Sequence, residues 1–281
     1  MARLGAIDIG SNAIRLRIVD VDEPEPGPRG VRFRPFREVC AERVPVRLGH
    51  DVFTRGRIEP TMIAQACDAL SRFRATMDAV KVERYRAVAT SASREAKNAD
   101  VFVERAEREA GVHVEVRPVD CDETPYAGEL AVAHARRIAA AKHSAALARA
   151  TWSHPTLAAD TVVWSETTAA PLGKPRDREH ARQGLRQLLG TDHFVTTAWA
   201  LGRPGREPRL HHETTRVWMR PLPDAELERY LDTEEWCDKA GGYGIQGHAA
   251  GLVVRLEGSY TNVVGLPLAQ VLQALADGAR A

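Results

Sequence analysis

The sequence predicts a mixed α/β chain of about two domains, and three observations predict it. The 281 residues amount to about two domains at roughly 150 residues each. Strand-like alternation and helical spacing interleave along the chain instead of segregating. Between residues 84 and 116 a strand, a charged amphipathic helix, a glycine and a second strand follow one another, a β-α-β unit whose strands run parallel. Apolar residues make up 44% and charged residues 27%, enough for a packed core, which excludes wholesale disorder.

Taken in order, residues 4–9 and 14–21 read as two strands of a hairpin around Asp8-Ile9-Gly10-Ser11-Asn12. The Pro and Gly of residues 22–30 make a loop, and 31–48 alternate as one or two strands. Residues 60–80 carry Ile63, Ala66, Leu70, Phe73 and Met77 at helical spacing, with Pro60 suited to the first turn. Residues 84–90 are a strand, 95–110 a helix stopped by Gly111, and 112–116 a strand. Beyond Pro118 come an Ala-rich helix at 126–150, a strand at 156–164 and a helix at 178–189. Strands at 193–201 and 213–219, a short helix at 223–231, a Gly-rich loop at 240–247, a strand at 251–257 and a helix at 268–276 complete the chain.

Lys and Arg number 39 against 38 Asp and Glu, a net charge of +1. That balance supplies no field for nucleic acid or an anionic membrane, so an anionic ligand must be held by a local cluster. No apolar run approaches the roughly 20 residues that span a bilayer. Cys40, Cys67, Cys121 and Cys237 are scattered, without C-x-x-C spacing, so neither a zinc knuckle nor a disulfide framework is expected. No long apolar stretch follows Met1, and reduced thiols in the cytoplasm are the expectation.

In the first half, Asp8 at a strand end can hold a cation while the next amides cradle phosphate; a capped hairpin turn fits the same spacing. The stretch Asp8 to Leu16, Arg47-Leu48-Gly49, and Arg86-Ala87-Val88-Ala89-Thr90-Ser91-Ala92-Ser93-Arg94-Glu95 resembles the Ppx/GppA exopolyphosphatase family over about residues 1–117. That resemblance implies an actin-like fold of two ribonuclease-H-like lobes, of which only the first has room here. The family's second phosphate loop, of Asp-x-Gly-Gly-Gly-Ser type, occurs nowhere in the chain. This half is therefore expected to be an inactive partial lobe.

The second half carries three acid-and-lysine clusters in punctuated loops. They are Asp120-Cys121-Asp122-Glu123 with Lys142, Asp160 in an apolar strand with Lys174 downstream, and Trp236-Cys237-Asp238-Lys239 running into Gly241-Gly242-Tyr243-Gly244-Ile245-Gln246-Gly247. Carboxylates suit a hard Mg²⁺ or Mn²⁺ and ammonium groups suit phosphate. Singly, each cluster also reads as ordinary surface. Together with the run Gly258 to Leu268, they resemble the Maf family of nucleoside triphosphate pyrophosphatases over about residues 118–278. The resemblance implies a mixed-sheet, ITPase-like domain that cleaves the α–β phosphoanhydride to a nucleoside monophosphate and pyrophosphate. Its Gly-Tyr-Gly-Ile-Gln-Gly form implies the dTTP/UTP branch.

By the same resemblance Asp160, Lys174 and Lys239 are catalytic, Asp160 and Glu123 hold the divalent metal, and Lys142 and Gln246 bind the nucleotide. Trp236 and Tyr243 stack on a base or pack in the core. The family's opening Ser-x-Ser-x-Arg-Arg loop is absent. Ser91, Ser93 and Arg94 offer a stand-in, with Glu95 and Ala96 where arginines belong, and residues 84–117 are then expected to complete the Maf-like sheet. The partner called for is a nucleoside triphosphate, with a homodimer left open. Alternatives are a nucleotide-binding remnant without turnover and an exopolyphosphatase-type phosphohydrolase.

Overall fold

A computed structural model describes residues 1–10, 13–22, 25–26, 32–33, 36–46, 48, 52, 56–89, 96–116, 121–148, 155–237 and 239–278. The chain divides into two compact units, Met1–Pro118 and Val119–Ala281.

In the first unit, β1 (Ala2–Ile9) and β2 (Ile14–Val21) form the expected hairpin, with Ile9 opposite Ile14. A two-residue pair, β3 (Glu25–Pro26) and β4 (Arg32–Phe33), stands apart from it. β5 (Phe36–Val44) pairs with the outer edge of β2. Helix α1 (Pro60–Ala79) starts on Pro60, whose missing N–H costs nothing at that position. β6 (Arg84–Ala89), α2 (Ala99–Ala110) and β7 (Val114–Val116) form the β-α-β unit, with β6 and β7 parallel. Helix α2 ends on Gly111 at φ +62°, where a Cβ would meet nothing within 4 Å. Backbone angle, not space, is what requires glycine there.

The sheet order is β5-β2-β1-β6-β7. The expectation that residues 84–117 complete the sheet of the second half is thereby corrected. β6 runs parallel to β1, Leu4 beside Arg84 through Ile9 beside Ala89. The hairpin leaves one edge of β1 with a full row of backbone donors and acceptors, and β6 satisfies it. Its Ala87 and Ala89 join Ile7, Ile9, Leu16, Ile18, Leu70 and Phe73 in one core. Ser91, Ser93 and Arg94 lie outside the described residues.

One ion-pair cluster is built into this sheet. Asp20, 2% exposed, receives two hydrogen bonds from Arg3, at 2.7 and 2.9 Å, and one from Arg37 at 3.1 Å. The Arg3 hydrogen bonds hold the Asp20 carboxyl well below the usual carboxylate range.

In the second unit, helix α3 (Ala131–Leu147) precedes β8 (Thr156–Trp164), α4 (Arg178–Leu188) and the strand pair β9 (Asp192–Gly202) and β10 (Arg209–Met219). Helix α5 (Asp224–Asp232), two single turns at Ala240–Gly242 and His248–Gly251, β11 (Val253–Glu257), α6 (Tyr260–Val264) and α7 (Leu268–Gly278) follow. The four strands are antiparallel in the order β11-β10-β9-β8, so the mixed pairing of the molecule belongs to the first unit's sheet. No helix among the described residues is long and apolar enough to cross a membrane.

Side chains leave alternate faces of this sheet. On one face Val162 and Ala198 meet Ala131, Ala135 and Ala139 of α3, whose small residues let the helix lie close. On the other, Val163, Val195 and Val217 meet Leu185, Leu227, Tyr230 and Tyr243. Tyr243 is 6% exposed and its hydroxyl meets His193 Nε2 at 2.7 Å, so it packs in the core and is no platform for a base. Trp236 packs against the same core and donates from Nε1 to the Leu231 carbonyl at 3.0 Å.

Asn262, fully buried, closes the unit. Its Oδ1 accepts from Thr197 N at 3.1 Å, and its Nδ2 donates to Val195 O and Thr215 Oγ1, both at 2.9 Å. One amide thus ties α6 to two strands. Asn262→Ala leaves the buried Thr197 N–H without its acceptor, and is expected to cost about 3 kcal/mol, read as a lowered urea midpoint at unchanged slope.

Burial pushes the His193 imidazole down to about 4. An unfolded His titrates near 6.5, so between these values the unfolded chain binds the extra proton and stability falls as pH falls. The loss from this residue is expected to reach about 3 kcal/mol between pH 6.5 and 4. His193→Gln cannot titrate, so its stability curve should be flatter than the parent's by that amount; parallel curves would refute the assignment.

Candidate active site

The site is built from an edge strand, a helix and the segment that leads into that helix. Asp160 lies mid-strand in β8 and leaves the sheet on the face that α3 covers. Lys142, near the end of α3, places its Nζ 2.7 Å from Asp160 Oδ1 and 2.9 Å from Glu123 Oε1. The three side chains are graded in exposure, Asp160 at 12%, Lys142 at 22% and Glu123 at 44%. A cluster of two carboxylates and one ammonium therefore opens from a buried aspartate outward to water.

The electrostatics follow from that grading. Burial raises the Asp160 carboxyl above its usual range; Lys142 pulls it down, and the Glu123 charge pushes it up again. Burial alone would lower Lys142, but the charges and hydrogen bonds of Asp160 and Glu123 outweigh it and the ammonium is held up. Lys142 stays a cation, while Asp160 is a carboxylate with raised affinity for a proton.

The segment carrying Glu123 is pinned from behind by residues that spacing did not reveal. Glu129 is 9% exposed and takes two hydrogen bonds at 2.7 Å from Arg137, one at 3.0 Å from the Tyr126 amide, and a contact of 3.0 Å from His134 Nδ1. The Arg137 guanidinium also donates to the Thr124 carbonyl at 3.0 Å and lies 3.9 Å over the Tyr126 ring. Thr124 N in turn donates to Asp122 Oδ1 at 2.9 Å. The Arg137 hydrogen bonds hold Glu129 far below the usual carboxylate range. The available signal was an acid just before an Ala-rich helix, with His134 and Arg137 on its first turns facing back toward it.

Lys174 and Lys239 sit on two loops that meet each other. Leu172 N donates to Val163 O at 2.6 Å, which lays the 172–175 segment along β8. Gly241, at φ +68°, rests on Val163 so closely that a Cβ would come within 3.0 Å of Cγ1. Gly242, at φ +75°, packs on Pro175, where a Cβ would lie 3.3 Å from Cγ. Val163 leaves β8 on the face opposite Asp160, so the two lysine loops pack on one side of this edge strand and the Asp160 cluster on the other. Lys174 is exposed and Lys239 half-buried. Gln246 is exposed in the following turn, whose Gly247 lies against the Glu235 carboxylate that also receives His248 N at 2.7 Å.

Among the described residues, no group of three or more His, Cys, Asp or Glu is placed to hold a metal ion. Asp160 and Glu123 offer hard carboxylate oxygens already converging on one cation, the Lys142 ammonium, and that donor set fits a divalent ion completed by water and phosphate oxygens.

Comparison with known proteins adds to this geometry. The family model described as Maf-like protein matches residues 105–278, and that of the Ppx/GppA phosphatase family matches residues 30–134. A dTTP/UTP pyrophosphatase of Oleidesulfovibrio alaskensis is 46% identical over 153 residues, covering 54% of this chain and 68% of the relative. That of Pelotomaculum thermopropionicum is 41% identical over 169 residues, covering 60% of this chain and 87% of the relative. The solved Ppx/GppA phosphatase of Aquifex aeolicus aligns at 24% identity with a TM-score of 0.40, over 75% of this chain and 52% of its own. The chain thus spans about half the length of that structure. With a family match over residues 105–278 and with the Asp160 and Lys142 cluster inside it, the chain belongs to the Maf-like protein family.

Proposed function

We propose that the second unit hydrolyses a nucleoside triphosphate of the dTTP or UTP class to the monophosphate and pyrophosphate. The observation that carries this reading is the Lys142 ammonium held between Asp160 and Glu123 on an edge strand, inside the segment that matches dTTP/UTP pyrophosphatases. In the proposed step a water oxygen bonds to the α-phosphorus and the bond from that phosphorus to the bridging oxygen breaks. Pyrophosphate leaves with that oxygen, and the proton of the water passes to Asp160. A carboxylate whose proton affinity is raised by burial suits that task better than an exposed one. Lys142 fixes the Asp160 carboxylate and keeps it ionised at rest. The loops of Lys174 and Lys239 pack on the side of β8 away from Asp160, so for these lysines to hold the leaving phosphates the triphosphate must pass around the edge of β8, with Gln246 at the nucleoside end. Asp160 and Glu123 would hold Mg²⁺ or Mn²⁺, which supplies neutralisation of the triphosphate charge.

A second reading, nucleotide binding without turnover, is favoured by one observation. β8 has β9 as its only sheet neighbour among the described residues, and no Ser-x-Ser-x-Arg-Arg loop borders it in the sequence. Purified protein incubated with dTTP, UTP, other nucleoside triphosphates and polyphosphate, in Mg²⁺ or Mn²⁺, separates the readings. Pyrophosphate from dTTP or UTP supports the first, saturable binding without product the second, and orthophosphate from polyphosphate overturns both.

Asp160→Asn keeps the shape and removes the proton acceptor, so kcat is expected to fall about 10²-fold or more with folding retained. Near-normal turnover would eliminate Asp160 from the chemistry. Lys142→Met removes the charge that lowers the Asp160 carboxyl, whose proton affinity then rises. The acid limb of the kcat profile is therefore expected to move to higher pH. An unmoved limb with only a raised KM would make Lys142 a phosphate ligand instead.

A further inference from the structure

The end of α5 ties down both ends of the glycine-rich stretch 242–248, which carries Gln246. Tyr230, in the last turn of α5 and 5% exposed, donates from its hydroxyl to the Gly242 carbonyl at 3.2 Å. Past the helix, Glu234 adopts φ +57°, an angle usually left to glycine, and its N–H donates to the Leu231 carbonyl at 3.2 Å. Glu235 follows, its own N–H held by Thr233 Oγ1 at 3.2 Å. Its carboxylate accepts from His248 N at 2.7 Å through Oε2 and meets His248 Nδ1 at 2.8 Å through Oε1.

Gln246 sits between these two ties. Gly247 N donates to the Gly244 carbonyl at 3.0 Å, so Ile245 and Gln246 are the central residues of a tight turn. Ile245 is buried and Gln246 exposed, so the turn presents the amide side chain to solvent. Gly247 shows what fixes the turn. Its φ is −110°, on the side that residues with side chains use. A Cβ there would nevertheless lie 2.5 Å from the Glu235 carboxylate carbon. The missing side chain makes room for the carboxylate and does not serve the backbone angle. Glu235 is 29% exposed, and the charge-assisted bond from His248 N offsets its desolvation.

We infer that Glu235 is a positioning residue, which holds the 244–247 turn so that Gln246 is pre-set for the substrate. The inference rests on Gln246 lying at the nucleoside end, as proposed above. A glutamine on an untied turn loses backbone and side-chain freedom together when it binds; a turn already held has only the side chain left to order. Glu235 grips Gly247 and His248, the residues that follow Gln246, and so acts on the substrate through Gln246. Its removal therefore costs binding only while Gln246 is there to bind.

A double-mutant cycle by titration calorimetry on the full chain tests this, with the α,β-methylene analogue of UTP and Mg²⁺ as the probe. Glu235→Ala and Gln246→Ala are each expected to weaken binding about tenfold, and the double variant no further than Gln246→Ala alone. Glu235→Gln keeps an acceptor for His248 N–H and should stay within about threefold of the parent. Losses that multiply in the double variant give Glu235 a role apart from Gln246 and overturn the inference, as does unchanged binding in Glu235→Ala. Should Glu235→Ala fail to fold, Gly247→Ala, whose Cβ displaces the carboxylate, takes its place in the cycle with the same expectations. Hydrolysis is scored separately, by pyrophosphate released from UTP. Non-multiplying losses without pyrophosphate uphold the positioning and overturn the hydrolytic reading; pyrophosphate with multiplying losses does the reverse. A parent chain that does not bind the analogue overturns the inference and, if it releases no pyrophosphate either, the hydrolytic reading as well.

Discussion

The site of the second unit depends on one ammonium group. Lys142 Nζ stands within 3 Å of two carboxylates carried by different segments, one on the edge strand β8 and one in the loop before α3. Without it, Asp160 and Glu123 would be like charges facing each other, one of them largely buried. A buried pair of this kind adds little net stability, because desolvation offsets most of the attraction. What it fixes is geometry: α3 can take only the rotation that brings Lys142 over β8. The helix permits this because Ala131, Ala135 and Ala139 let it lie close on Val162 and Ala198. Glu129, clamped by Arg137, then holds the preceding segment so that Glu123 reaches the same ammonium.

Local features of this architecture are legible in the sequence, and pairings between distant segments are less so. The hairpin, the helix begun by Pro60, the Gly111 stop and the β-α-β unit all follow from alternation, helical period and turn chemistry over a few residues. The sheet edge that receives the β-α-β unit does not, because a parallel strand with Ala87 and Ala89 inward fits any apolar sheet of matching length. The bare edge of β1 decides it. Asp160, Lys142 and Glu123 were reached by resemblance; 18 residues separate the pair Lys142 and Asp160, and no periodicity links a helix to the next strand. Tyr243 read equally as a base-stacking ring or as core packing; Gly241 and Gly242 beside it serve contact with Val163 and Pro175, and the ring fills the core beside His193.

Two family matches share residues 105–134, from the middle of α2 into the start of α3. That shared stretch contains β7, and β7 pairs with β6 in the first unit's sheet. The residues that could open a Maf-like sheet are therefore committed to a different one. Backbone hydrogen bonding enforces the choice, since a strand central in one sheet has both edges used; β6 spends one on β1 and the other on β7.

The consequence falls on β8. It carries Asp160, and its only strand partner among the described residues is β9. An open edge of this kind invites pairing with other chains unless something covers it. Here the 172–175 segment does so at Val163, through Leu172, and the glycine turn at 241–242 seals the same end. The covering is placed on the stretch of β8 beyond Asp160, and the acidic side chain with its Lys142 partner occupies the middle of the strand. Charge there works against edge-to-edge pairing in the way that inward-pointing charges protect other sheet edges. The carboxylate proposed to take a proton thus answers a structural need as well. That dual service explains why a largely buried acid with a raised proton affinity is tolerated at the margin of this sheet.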